Sequence, residues 1–350
     1  MLVDPSLLKE GCFSMKMTNK GVITGVISVC LALTLAGCGT TDSTNTTANT
    51  SQSTSTTGTN ASTISVTDGT GAKVVLKKPA TSFVCLDPSS IQMLKDLGVS
   101  QQDIAYGNGD LSFAQMVFGN NAKNMKSVGG SWEQPNVEDI LADHPDLVIG
   151  DAYPHAQLKP ALKGAAQMYL ISRSGGYKQS MQDLINLGIL TGHKATAEQD
   201  VNEFTKDLNA DIKKSPKNQT SLVIWGDSPT SLSVPTIDDP SASVLAAISN
   251  YPWGGHGAQG MNISLDKILN VNPDVIFVES IARLDNPKAP TLSSQLASNP
   301  IWQQLKAVKE HRVYEVNPNV WHDDRGGMGL EQILNQAMPK LYPSLATQTS

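Results

Sequence analysis

The sequence predicts an α/β fold of two lobes, each with a mainly parallel sheet flanked by helices, joined by a single long crossing helix. Three observations carry this. Short continuous apolar runs bounded by turn residues occur at Leu147-Val148-Ile149 and Tyr169-Leu170-Ile171, and again at Leu222–Trp225, Val275–Val278 and Val313–Val316. Such runs suit strands buried on both faces, and their alternation with helical patterns suits a parallel sheet. The stretch Asn136–Ile149 reappears as Ser264–Phe277. Both copies read as a polar N-cap residue, a short helix containing Ile-Leu, a Pro-Asp turn and three apolar residues. Between the halves, Val201, Phe204, Leu208 and Ile212 recur at helical spacing until Ser215-Pro216 stops the pattern.

Taken in order, the chain opens with an address. Lys16 and Lys20 precede an apolar stretch, Gly21–Gly37, that ends in Leu35-Ala36-Gly37-Cys38. A basic patch, a short apolar segment and small residues before a cut site make residues 1–37 a secretory signal peptide. The stretch sits at the short limit of the ~17–25 apolar residues that span a bilayer. Residues 1–14 fit neither part, so Met15 or Met17 is the expected start. Residues 38–63 open at Cys38 and continue mainly as Thr, Ser, Asn, Ala and Gly with almost no apolar side chain, which cannot offset ordering entropy and read as a flexible tether. The N-terminal lobe follows as 64–194, with strands at Val74–Leu76 and Ser82–Leu86 and a helix through Ile91, Leu94 and Leu97. The crossing helix is 195–214, about 30 Å long at the usual rise, long enough to reach from lobe to lobe and stiff enough to limit opening. Residues 215–345 form the C-terminal lobe.

Composition excludes several functions. A net charge of −6 argues against a nucleic-acid partner, which would need a basic face. Of the four cysteines, Cys12, Cys30 and Cys38 lie in or beside the signal segment, leaving Cys85 without an internal disulfide partner. Neither Gly-x-Ser-x-Gly nor His-Glu-x-x-His occurs. Ser264-Leu265-Asp266-Lys267 matches Ser-x-x-Lys but lacks that chemistry's companion motifs, and Ser264 has a plainer role as an N-cap. No catalytic residue, no resident metal and no cofactor are expected.

Several pieces, in order, resemble the iron-siderophore, haem and cobalamin class of solute-binding lipoproteins of ABC importers. They are Thr67-Asp68-Gly69 with Val74-Val75, Asp96-Leu97-Gly98, Pro135-Asn136-Val137-Glu138 with Pro145–Ile149, Leu187-Gly188 with Thr191-Gly192, Pro273–Ile276, Val320-Trp321 and Gly326-Gly327. The resemblance spans about Ile64 to Pro343. It implies an extracytoplasmic protein, lipidated at Cys38 and so anchored to the cell membrane, that captures an iron-siderophore-like metal chelate as a monomer. The metal would arrive within the ligand, with cobalamin or haem as the alternative ligand of the same class. The chelate would pass to the membrane subunits of an ABC importer, on which Glu138 and Asp266 would dock. A lipid-anchored adhesion or signalling module is the rival from another class.

Ligands of open α/β lobes sit beyond the carboxyl ends of the strands. That rule selects Asp87–Ser89, Ser131–Glu133, Asp151–His155, Ser172–Tyr177, Trp225–Asp227, Glu279–Arg283 and Trp321–Arg325. Three of the four arginines, Arg173, Arg283 and Arg325, fall there and suit an oxygen-rich anionic ligand. Trp132, Tyr153, Tyr177, Trp225, Trp253 and Trp321 would supply aromatic walls, with His322 beside them, while Trp302 belongs in a core. His155, His256 and His322 read as solvated loop histidines.

Overall fold

The computed structural model describes residues 63–107, 110–255 and 260–346. The signal segment, Cys38, His256 and all but the last residue of the tether lie outside the described residues. An antiparallel pair, β1 (Ile64–Thr67) and β2 (Lys73–Leu76), opens the fold. The first large sheet holds β3 (Phe83–Cys85), β4 (Ile104–Gly107), β5 (Lys126–Val128), β6 (Leu147–Asp151) and β7 (Gln167–Ile171) in the order β5-β4-β3-β6-β7, with every pairing parallel. The second holds β8 (Ser221–Ser228), β9 (Ser231–Val234), β10 (Met261–Asn262), β11 (Val275–Ser280) and β12 (Val313–Val316) in the order β10-β9-β8-β11-β12. Here β8, β11 and β12 are parallel, while β9 and β10 run antiparallel at one edge. The Pro229-Thr230 turn between β8 and β9 is too short for a parallel crossover, so the chain must fold back as a hairpin.

The helices that matter for the site are α1 (Pro88–Asp96), α2 (Leu111–Phe118), α3 (Val137–Ala142), α4 (Gly176–Thr191), α5 (Lys194–Lys214), α6 (Pro240–Ile248), α7 (Leu265–Val271) and α8 (Gly327–Leu341). The internal repeat is a repeat of position as well as pattern. Helices α3 and α7 each lead into β6 and β11, and each strand is fourth in its sheet. Asn136 caps α3 and Ser264 caps α7.

Both faces of the first sheet are covered, which is why its central strands β3 and β6 and most of β7 are apolar. Val84, Val148 and Leu170 pack with Ile140 and Leu158 on one face; Phe83, Cys85, Ile149 and Tyr169 pack with Leu184 and Leu187 on the other. Cys85 is a free, buried thiol. Trp302 is buried in the core of the second lobe, as expected.

The chain crosses between lobes along α5, and the burial of its side chains records the crossing. Ala197 belongs to the first lobe's core, Phe204 and Leu208 to the second's, and Val201 packs against both. Helix α4 repeats this, with Leu184, Leu187 and Leu190 in one core and Met181 in the other. The joint is therefore broader than one strut. At its centre Gly176 has φ +63°, its amide donates to the Asp238 carbonyl at 2.8 Å, and an added Cβ would lie 2.6 Å from Ser243 Cβ. Only glycine fits that turn at that closeness.

Candidate functional site

The carboxyl ends of the parallel strands in both lobes deliver their side chains to one place. Asp87 follows β3 and caps α1, accepting from the Ser90 amide at 3.2 Å, with Pro88 as the first helical residue. Asp239 does the same for α6, accepting from the Ser241 amide at 2.9 Å ahead of Pro240. The same Asp-Pro-Ser device thus sets a carboxylate at the mouth of each lobe. Asp110 precedes α2, Asp151 ends β6, Glu279 lies near the end of β11, and Asp323 follows β12. Arg173 follows β7 and Arg325 lies beyond β12, just before α8.

These groups form one electrostatic unit. Arg173 Nη1 donates to Asp151 Oδ2 at 2.8 Å, and Arg325 Nη2 to Asp239 Oδ2 at 3.3 Å. His322 Nδ1 meets Glu279 Oε2 at 3.1 Å. Across the lobes, Asp239 and Asp323 act on Arg173, and Arg325 acts on Asp151. Burial and the Asp87 charge push Asp151 up to about 7, against the pull of both arginines. Burial with Asp87, Asp323 and Asp151 pushes Asp110 up to about 9. Burial raises Asp323 to about 6 and raises Glu279 too. Burial opposes a charged His322, but the Glu279 hydrogen bond and charge outweigh it and its pKa rises.

Aromatic rings frame this unit. Trp132 is half-buried, lies edge-on to Tyr153 at 6.5 Å between ring centroids, and takes the Arg173 guanidinium over its face at 5.7 Å. Tyr153 is 61% exposed, with its ring free for a ligand. On the facing lobe Trp225 is half-buried and lies 5.2 Å from the His322 ring.

Other expected site residues go elsewhere. Trp321 is buried, stacked on Phe277 at 4.8 Å, and its indole donates to Gln336 Oε1 at 2.9 Å. The single helical turn Asn319–Asp323 sends Trp321 into the core and leaves His322 partly open. Trp253 is also core, its indole donating to the Ser221 carbonyl at 3.2 Å. Tyr177 sits at the lobe joint, 5.8 Å edge-on to Phe204. Arg283 spends its Nε and Nη2 on the Pro287 carbonyl, at 3.1 and 2.6 Å, and braces its own loop. Two histidines are not solvated. His155 is fully buried, with Nδ1 accepting from the Asp151 amide at 2.9 Å and Nε2 on the Trp132 carbonyl at 2.7 Å. Burial holds its pKa below the usual value, so the neutral ring pins Trp132 to β6. His322 is paired with Glu279 and only partly open, as given above.

The carboxylates are what sequence reasoning missed. The strand-end rule selects the segments of Asp87, Asp151, Glu279 and Asp323 but not those of Asp110 and Asp239. A signal was available: Glu279 ends the apolar run Val-Ile-Phe-Val, where an acid is costly without a purpose, and Asp-Pro-Ser occurs at both Asp87 and Asp239. Among the described residues, no group of three or more His, Cys, Asp or Glu side chains is arranged to hold a metal ion, and no helix is long and apolar enough to cross a membrane.

The sequence matches the family model of the periplasmic binding proteins over residues 83–320, both sheets included. The chain belongs to that family. Among curated relatives of this periplasmic binding protein, the Fe(3+)-citrate-binding protein YfmC of Bacillus subtilis is 23% identical over 336 residues, covering 93% of this chain and 99% of the relative. The Fe(3+) dicitrate-binding periplasmic protein FecB of Escherichia coli is 27% identical over 206 residues, covering 58% and 66%. Among solved structures, the triscatecholate siderophore-binding protein FeuA of B. subtilis, complexed with ferri-bacillibactin, superposes with a TM-score of 0.64 at 21% identity. It covers 80% of this chain and 98% of that one, and shows the shared fold.

Proposed function

We propose that this periplasmic binding protein captures a ferric chelate between its two lobes and presents it to an ABC importer, held to the membrane through a lipid on Cys38. One observation carries the reading: the strand ends of both sheets converge on a single polar unit flanked by Trp132, Tyr153 and Trp225, with charges from each lobe acting on the other. An organic chelate with a polar rim and flat edges suits that lining. The names of the relatives, binders of ferric citrate and ferric siderophores, support it. The metal comes with the ligand, and the protein works as a monomer without catalytic chemistry or a resident cofactor.

For haem, both ring nitrogens of His155 and Nδ1 of His322 are engaged, so an axial ligand would fall to the exposed Tyr153. Cobalamin needs broad apolar stacking, and the site is mainly charged. Titrating the full chain with ferric siderophores, ferric citrate, haemin and cobalamin while following tryptophan fluorescence tests the reading. Saturable quenching by at least one ferric chelate, with neither haemin nor cobalamin tighter, is expected. No quenching by any ferric chelate overturns it.

A further inference from the structure

The charges of the cleft do not match the ligands named for its relatives. Six carboxyl groups (Asp87, Asp110, Asp151, Asp239, Glu279 and Asp323) meet two arginines and one histidine, and each of these three cations is already paired with a carboxylate. A ferric complex rich in carboxylate or catecholate charge would enter a site whose cations are outnumbered by carboxyl groups and each already paired with one. What is left over is the opposite. Asp151 is fully buried and Glu279 is 1% exposed, yet Asp151 Oδ1 and Glu279 Oε1 have no hydrogen-bond partner. Asp87 lies within hydrogen-bonding reach of the Asp151 carboxyl, which supplies a second acceptor and not a donor. Two acceptors facing each other need a proton or a cationic donor between them. Arg325 Nη1 is also unpartnered and 3% of its residue is exposed, so one acceptor oxygen on the ligand is called for as well.

We infer that the cleft is built for a ferric chelate that carries a cationic donor group, an ammonium or guanidinium, which sits between Asp151 and Asp87 while a chelate oxygen takes Arg325 Nη1. The inference rests on the ferric-chelate reading above and assigns the charge of its ligand. No set of described side chains suits a bare metal ion, which favours an organic cation. Trp132 adds a ring face next to Asp151 for that cation. In the ligand-free protein, protons relieve the excess of negative charge, since Asp151 and Asp110 titrate near and above neutrality. The groups facing Asp151 are Asp87, Asp110, His155 and Arg173 from its own lobe and Arg325 from the other, with Asp323 acting on Arg173 and Asp110 beside it. A cationic ligand displaces the proton, so its affinity increases as pH rises, while that of an uncharged analogue does not.

The test compares ferric complexes of a linear trihydroxamate bearing a free amine, the same chelator N-acetylated, citrate, and a triscatecholate, titrated into the full chain by fluorescence. The amine form is expected to bind about tenfold or more tighter than the acetylated form at neutral pH, and about a hundredfold tighter than the triscatecholate complex. Asp151→Asn and Asp87→Asn are both made, because either alone could disturb folding, and asparagine keeps the N-cap at position 87; a cooperative melt verifies each. In whichever variant folds, the preference for the amine shrinks to within about threefold while the acetylated complex still binds. Equal affinity for amine and acetylated forms, or tighter binding of citrate or triscatecholate complexes, overturns the charge inference and leaves the ferric-chelate reading standing. Failure of every ferric complex to bind overturns both.

Discussion

Asp151 meets two demands that a surface carboxylate never faces. It is fully buried at the end of β6, and its neighbours include both a guanidinium and another carboxyl. Its protonation state therefore decides what Arg173 is worth. Arg173→Ala removes the ion-pair partner of a buried carboxylate, a change that costs on the order of 3–5 kcal/mol when the charge must stay. Asp151 escapes much of that cost by holding its proton, which its position near neutrality makes easy. The destabilisation, measured by urea unfolding, is predicted to be several-fold larger near pH 9 than near pH 6; a loss that ignores pH would contradict the coupling. The same pairing qualifies what the arginines say about the ligand. A guanidinium at a strand end advertises an anion, but Arg173 and Arg325 find theirs in Asp151 and Asp239, partners distant in sequence. Trp321 misled for a local reason: one helical turn decides which of residues 321–323 faces the core.

Among the elements, the repeated helix–strand units α3–β6 and α7–β11 hold both ends of the proposed transport cycle. Their strands end in Asp151 and Glu279 at the cleft. Their helices begin with exposed Glu138 and Asp266 in the first turn, close to the capping Asn136 and Ser264. Replacing Glu138 and Asp266 together by Ala is predicted to abolish uptake in cells while leaving chelate affinity of the purified protein within about twofold. Weakened chelate binding in that variant would show that these acids stabilise the lobes instead. At the joint, Gly176→Ala puts a methyl group against Ser243 in a left-handed conformation. It is predicted to lower stability by on the order of 1–3 kcal/mol, read as a fall in melting temperature, and an unchanged melt would count against a tight joint. These elements were legible because burial on two faces writes a continuous apolar run, and because a Pro-Asp turn after a capped helix is distinctive. Strands β5, with two exposed residues of three, and β10, with both residues exposed, carry no such run. Each is a strand only through the hydrogen bonds of its neighbour, which sequence does not display.

As a whole molecule the protein buries acid at the cleft and also on α1 at Asp96 and α4 at Asp183, and that sets its response to pH. Burial, reinforced by like charge, raises Asp96 and Asp323 to about 6, Asp151 and Asp183 to about 7 and Asp110 to about 9. The folded state holds protons that the unfolded chain releases at the ordinary carboxylate range. The stability tied to them is complete below that range and is lost as pH rises through each raised value. His322, also raised, acts in the same direction. Buried His155, held below its usual value, and Asp68, Asp146 and Asp274, held low, act the other way and weaken the fold in acid. The ligand-free melting temperature is therefore predicted to peak in mildly acid buffer and to fall steadily from about pH 6 to 9; a flat or rising profile in calorimetry would contradict the charge arrangement. A cleft that holds this much acid is costly to build, and binding is the use the fold offers for it. Diffraction at the iron absorption edge from crystals grown with a bound ferric chelate asks about that use directly. The account predicts one anomalous peak between the lobes, with chelate atoms against Trp132, Asp151 and Arg325; iron found only on an outer face would contradict it.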